Sequence, residues 1–194
     1  MLMETGRVKV LIVLAHPRRH SLTGAIADAF AAAVEARGHV VEWADLVAER
    51  FDPVLSEADE PDWNDAHKRY SPAVQSEMRR VERNEAAVLV FPVWWWSMPA
   101  ILKGWIDRVW NFGWAYGDDK LPLRLVWMLA LGGVSEAAYA KRNYSQAMRT
   151  QLEEGILRYC GVADARLEIL YGSLEGKAEC EAMLERARSL GASF

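Results

Sequence analysis

Short, wholly apolar runs alternate along the chain with longer stretches in which apolar residues recur every three or four positions. The first run is Val8-Lys-Val-Leu-Ile-Val-Leu14, closed by Ala15-His16-Pro17. A β-branched run without polar alternation suits a strand buried on both faces, as parallel strands between two helix layers are. From Leu22 onward, Ala25, Ile26, Ala29, Phe30 and Val34 repeat at helical spacing, and Gly38 stands where a helix stops. His39–Trp43 predicts a second strand, and residues 51–70 an acidic excursion broken by Pro53 and Pro61. Helical spacing returns over Pro72–Val81. Ala86–Phe91 is a third strand, ended by Pro92, and Pro99 opens a helix carrying Ile101, Leu102, Trp105, Ile106 and Val109. Leu125–Leu131 is a strand closed by Gly132-Gly133, Ala147–Tyr159 a helix, Leu167–Tyr171 the last strand and Lys177–Leu190 the closing helix.

Five strands alternating with helices predict one α/β domain over residues 1–194, three layers deep, with a mostly parallel sheet. The composition fits: 194 residues, 52% hydrophobic and 26% charged, suffice for a globular core. A net charge of −4 argues against a nucleic-acid binder, which needs cations to neutralise phosphates. No apolar run approaches the ~20 residues of a membrane span, and Met1–Val8, with Glu4 and Arg7, does not read as a signal peptide. Cys160 and Cys180 form neither a disulfide framework nor a metal spacing. They read as small buried hydrophobes of a reduced, cytoplasmic protein with no metal site.

Ligands of such sheets bind beyond the carboxyl ends of the strands, and the unusual residues fall there. His16-Pro-Arg-Arg-His-Ser-Leu-Thr23 follows the first strand and runs into a helix N-terminus. Free backbone N–H groups and the helix dipole favour an anion at that place. Ser21 or Thr23 is placed to cap the helix and to donate to a phosphate, and His16 to donate from its ring. Arg18 and Arg19 read as solvated loop charges. Neither a P-loop nor a Rossmann glycine pattern is present. After the third strand, Pro92-Val-Trp-Trp-Trp-Ser-Met-Pro99 holds three successive tryptophans, which cannot all face one core because strand side chains alternate. Trp94, Trp95 and Trp96 thus point to a cleft or an interface with flat apolar walls suited to a planar aromatic ligand. Trp105 and Trp110, on the following helix, read as core. The third loop is Leu131-Gly132-Gly133, with Tyr139 shortly after, where glycine permits close backbone approach.

The stretch from Phe91 through Pro99-Ala-Ile-Leu-Lys-Gly104 to Trp110, continuing to Trp114-Ala-Tyr116, resembles the NAD(P)H:quinone oxidoreductase family of flavodoxin-like flavoproteins. That family includes ancillary flavoproteins of potassium-efflux antiporters. Ala15-His16-Pro17 with Ser21, the Gly132-Gly133 pair and Arg158-Tyr-Cys-Gly161 agree in order and spacing. The resemblance implies a five-stranded flavodoxin-like sheet and a non-covalent flavin, FAD or FMN. It places the phosphate at His16, Ser21, Leu22 and Thr23, and the ring at Pro92, Val93, Trp94, Trp95 and Trp96, with Gly132 and Gly133 opposite. Tyr139 matches a catalytic tyrosine. Tyr144 and Ser145 stand where larger members carry a histidine. The implied enzyme is a homodimer with its active site at the interface, Trp114 and the catalytic Tyr116 facing the partner's flavin. NAD(P)H would reduce the flavin and a quinone-like acceptor reoxidise it, by ping-pong; a membrane antiporter is the alternative partner.

Overall fold

In the computed structural model, which describes residues 6–194, the predicted alternation folds into one sheet with helices on both faces. The reading of Met1–Val8 as no signal peptide falls, for its first five residues, outside the described region. The strands are β1 (Lys9–Leu14), β2 (Val40–Asp45), β3 (Ala86–Pro92), β4 (Leu125–Leu131) and β5 (Asp164–Leu170), all parallel in the order β2-β1-β3-β4-β5. This is the flavodoxin-like arrangement expected from the resemblance, with the chain reversing its winding direction between β1 and β3.

The helices are α1 (Leu22–Ala36), α2 (Pro72–Glu82), α3 (Ala100–Val109), the short α4 (Glu136–Ala140) and α5 (Tyr144–Met148), and α6 (Lys177–Ala192). The alternation along β1 shows how the layers are built. Val10, Ile12 and Leu14 pack against Ile26, Phe30 and Val34 of α1 and Met183 of α6. Leu11 and Val13 belong to the opposite core, with Val74 and Val81 of α2 and Leu102 and Trp105 of α3. Both faces are thus dry, which is why the strands read as unbroken apolar runs.

Local starts follow sequence chemistry. Ser21 caps α1, its Oγ accepting the Gly24 N–H at 3.2 Å, and Ser71 caps α2 ahead of Pro72. The segment predicted as one helix from Ala147 begins earlier, as α5, and continues through Arg149–Arg158 as a π-helix with wider hydrogen bonds. The last strand starts three residues before Leu167. Helix α4 has no counterpart in the sequence reading, because five residues carry too little periodicity to register.

The acidic excursion is tied down. A Cβ on Gly104 would lie 2.2 Å from the Pro53 carbonyl oxygen, so only glycine lets the excursion rest on α3. Asp59, wholly buried, accepts from Arg108 Nη2 at 2.8 Å and from the Ser71 N–H and Oγ–H at 2.7 and 2.9 Å. Burial would push its carboxyl up, but the Arg108 guanidinium and Ser71 prevail and hold it below the ordinary carboxylate value. Cys160 is buried as expected, whereas Cys180 is half-buried and donates its thiol to the Ser173 carbonyl at 3.7 Å. Among the described residues no helix is long and apolar enough to cross a membrane.

Candidate active site

The loops after β3, β4 and β5 are laced together by hydrogen bonds that extend the sheet past its carboxyl edge. Val93 N–H donates to Leu131 O at 2.8 Å and Gly132 N–H to Leu170 O at 2.7 Å. Ser173 and Leu174 donate to Gly132 O and Gly133 O at 2.9 and 3.0 Å. Strand register therefore fixes the rim, and the cleft above it has two ends joined at Val93 and Gly133.

One end, about 300 Å³, is lined by His16, Ser21, Leu22, Thr23, Pro92 and Trp94, among others. Here α1 begins. Ser21 takes the N–H groups of Gly24 (through Oγ) and of Ala25 (through its carbonyl), which leaves the first-turn N–H groups of Leu22 and Thr23 available to a ligand. His16 Nδ1 accepts the Arg18 N–H at 3.0 Å. The same Nδ1 lies 2.9 Å from the Arg18 carbonyl oxygen, so the ring is held to its own loop through that one nitrogen. Free N–H groups at a helix start are the arrangement that suits an anion. Arg19 keeps an exposed side chain, as expected of a loop charge, and in addition pairs with Asp28 and lies over Trp43, 5.2 Å from the ring centroid. Arg18 stays exposed at the cleft.

The other end, about 240 Å³, is lined by Val93, Trp95, Trp96, Gly133, Val134 and Tyr139. Trp94 N–H and Ser97 N–H donate to each other's carbonyls at 3.0 and 3.1 Å, closing a two-residue turn whose central residues are Trp95 and Trp96. Both have positive φ, 53° and 59°. Hairpin turns with two such residues usually recruit Asn-Gly; bulky side chains in that conformation cost about 1–3 kcal/mol each. The three indoles are nonetheless 46%, 94% and 38% exposed, so burial does not offset the strain. Strained backbone carrying exposed aromatic surface makes this turn a candidate binding loop.

Tyr139 lies beneath, 1% exposed, its ring meeting Trp96 edge-on at 5.2 Å. Burial pushes its phenol up to about 12, so it stays protonated at any ordinary pH. A Cβ on Gly132 would lie 2.7 Å from the Tyr139 hydroxyl. Glycine at 132 thus makes room for the phenol, and it is Gly133 that lines the cleft. Tyr144 stacks on Trp96, and Ser145 Oγ shares a 2.9 Å hydrogen bond with Tyr171. Two expected residues are not brought here within one chain. Tyr116 sits in a separate aromatic group with Trp63, Phe112 and Tyr159, and Trp114 donates its indole N–H to Glu82 at 2.8 Å. Ser173 and Leu174 line the helix-start end unanticipated. Their signal was position alone, since the loop after a fifth parallel strand reaches the same edge.

Known proteins share this fold. A family model described as flavodoxin-like fold matches residues 8–191. An uncharacterized NAD(P)H oxidoreductase of Escherichia coli, YcaK, is 40% identical over 163 residues, 84% of this chain and 83% of that protein. NAD(P)H dehydrogenase [quinone] 1 of Cavia porcellus is 31% identical over 84% of this chain and 68% of its own length. The solved NAD(P)H:quinone oxidoreductase from Methanothermobacter marburgensis superposes with a TM-score of 0.91 at 30% identity, covering 97% of each chain. The chain belongs to the flavodoxin-like family, as an enzyme of the NAD(P)H oxidoreductase kind.

Proposed function

We propose that the chain is a flavin-dependent NAD(P)H oxidoreductase that reduces quinones or similar planar acceptors by two electrons. One observation carries this reading: a cleft with an anion-binding helix start at one end and a strained, exposed aromatic turn at the other suits a phosphate joined to a flat ring. The donor set fits a flavin. The Leu22 and Thr23 N–H groups and the His16 ring would hold the phosphate. Val93, Trp95, Trp96 and Gly133 would flank the isoalloxazine, with Pro92 and Trp94 at the junction. A bound flavin supplies hydride acceptance from NAD(P)H and hydride delivery to a second substrate, in separate half-reactions.

The chain's residues would position and shield. Trp95 and Trp96 offer rigid faces that align a stacked ring and exclude water from it. Tyr139, protonated and buried, would present a neutral hydrogen-bond donor to charge developing at the ring edge. In one chain the aromatic end is open and rimmed by exposed Trp95 and Val134, which supports a homodimer whose partner covers it, with Trp114 and Tyr116 serving the other protomer's site. The cytoplasm is the proposed location.

The test is the visible spectrum of purified protein before and after anaerobic NAD(P)H, then with a quinone. Flavin bands that bleach and return support both half-reactions. A colourless protein that cannot be reconstituted with FMN or FAD overturns the flavin reading.

A further inference from the structure

The amino edge of the sheet, one strand length or about 20 Å from the cleft, holds a second hollow of about 250 Å³. The starts of four strands meet there: Val8 before β1, His39 before β2, Arg124 before β4 and Asp164 at the head of β5. Phe194 closes one side, edge-on to Trp127 at 5.1 Å and to the His39 ring at 6.3 Å. With Val8 and Leu125 it gives the hollow an apolar wall. The polar groups do not balance. Asp164, the one carboxylate side chain among the described lining residues, already accepts from Arg166 Nε at 2.9 Å and from Trp127 Nε1 at 3.3 Å. Arg124 is exposed, and among the described residues its guanidinium has neither an acidic nor a hydrogen-bonding partner. Its backbone is fixed in the sheet, the N–H donating to Glu85 O at 3.1 Å and the carbonyl accepting the Asp164 N–H at 3.2 Å. His39 is only 9% exposed, and its Nδ1 accepts the Val8 N–H at 3.2 Å. An imidazole that accepts at Nδ1 carries its proton on Nε2. That donor has no partner among the described residues, and buried donors seldom go unmatched.

We propose that this hollow is a binding site for a small organic carboxylate with an apolar body. The carboxylate takes the Arg124 guanidinium and the His39 Nε2–H as its donors, a charge-assisted pairing stronger than a neutral one. The body lies against Val8, Leu125 and Phe194, removing apolar surface from water. A bare inorganic anion would leave that wall unused, and an uncharged molecule would leave Arg124 unpaired. The site is separate from the cleft and independent of the flavin reading. Its ligand joins the starts of three strands to the end of the chain, so binding stabilises the fold by mass action.

The experiment titrates the whole chain with benzoate, acetate, benzamide and inorganic phosphate, by calorimetry and by the shift in melting temperature. Benzoate should bind with a Kd below about 1 mM. The other three, each lacking the charge or the apolar body, should bind about tenfold more weakly or worse. Arg124→Gln changes an exposed side chain with no partner to lose and should raise the benzoate Kd about tenfold or more. His39→Asn keeps an acceptor for the Val8 N–H and should raise it several-fold. Trp95→Ala, in the cleft, should leave the benzoate Kd where it is. Benzoate binding that survives Arg124→Gln, or that falls in Trp95→Ala instead, puts the ligand elsewhere and overturns the inference. Phosphate or acetate binding as tightly as benzoate overturns the ligand class. Neither heat nor a melting shift with benzoate up to about 10 mM overturns the site. Flavin occupancy, read from the visible spectrum, is decided separately from all of these.

Discussion

Five tryptophans lie within seventeen residues, in two groups that behave oppositely. Trp105 and Trp110 sit on and just after α3, 0% and 4% exposed, meeting edge-to-face at 6.0 Å. Trp105 donates its indole N–H to Glu77 at 2.9 Å, so its one polar atom is satisfied inside the core. Trp94, Trp95 and Trp96 sit in a turn with two left-handed residues and remain exposed. The first group lowers the energy of folding by burial. The second raises it through strain and exposed surface, a combination that folding alone has no reason to keep. Residue type tells the two apart in neither case; backbone conformation and exposure do.

The sharpest test of that contrast is Trp105→Ala, which should cost about 3–5 kcal/mol by leaving a large cavity, measured by urea unfolding. A cost below about 1 kcal/mol would break the comparison at its core end. Next in size is the alkaline limb of stability, which touches the phenol packed under Trp96. Tyr139 is raised from 10 to about 12 in the folded state, so the folded chain holds this proton more tightly than the unfolded one. The resulting stabilisation is complete below pH 10, lost as pH climbs through 12, and worth about 2–3 kcal/mol at one pKa unit per 1.36 kcal/mol. Cys160, raised from 9 to about 11 by burial, adds a similar slope starting one unit lower. Tyr139→Phe should flatten the pH 10–12 part of the unfolding profile; an unchanged slope would remove Tyr139 as its source.

Trp95→Ala should behave as the mirror of the core substitution. Stability should change by no more than about 0.5 kcal/mol, since the side chain covers nothing. The flavin dissociation constant should rise about tenfold through loss of one stacking face. Unchanged flavin occupancy would take Trp95 out of the site. The smallest effect belongs to the far end of the cleft. His16→Ala should weaken FMN several-fold through one lost donor while leaving riboflavin, which has no phosphate, unaffected. Saturated turnover should stay the same, and a turnover loss at full flavin occupancy would assign His16 to the reaction itself.

The sequence alone determined the strands, their buried character, the α/β class and the loops that carry the site. A parallel sheet covered on both faces demands unbroken apolar runs, and each run here ends in Pro, Gly or polar residues. The tryptophan run stood out for the same reason: three large residues at a strand end violate the two-fold alternation of side chains. What the tertiary structure decided were matters of contact between distant segments. Gly132 was legible as a glycine with close approach, but that the approaching group is the Tyr139 phenol depends on how α4 folds back. Arg19 read rightly as an exposed charge, but its partners, Asp28, Asp45 and Trp43, come from α1 and β2, nine or more residues away, and only the fold names them. Tyr144 gave no pattern of its own; it meets Trp96 across 48 positions of chain, and only the packing of α5 over the turn brings the two rings together. Hydrophobic period is a local property and is written in the order of residues, whereas the walls of a cleft are made by side chains that the fold makes neighbours.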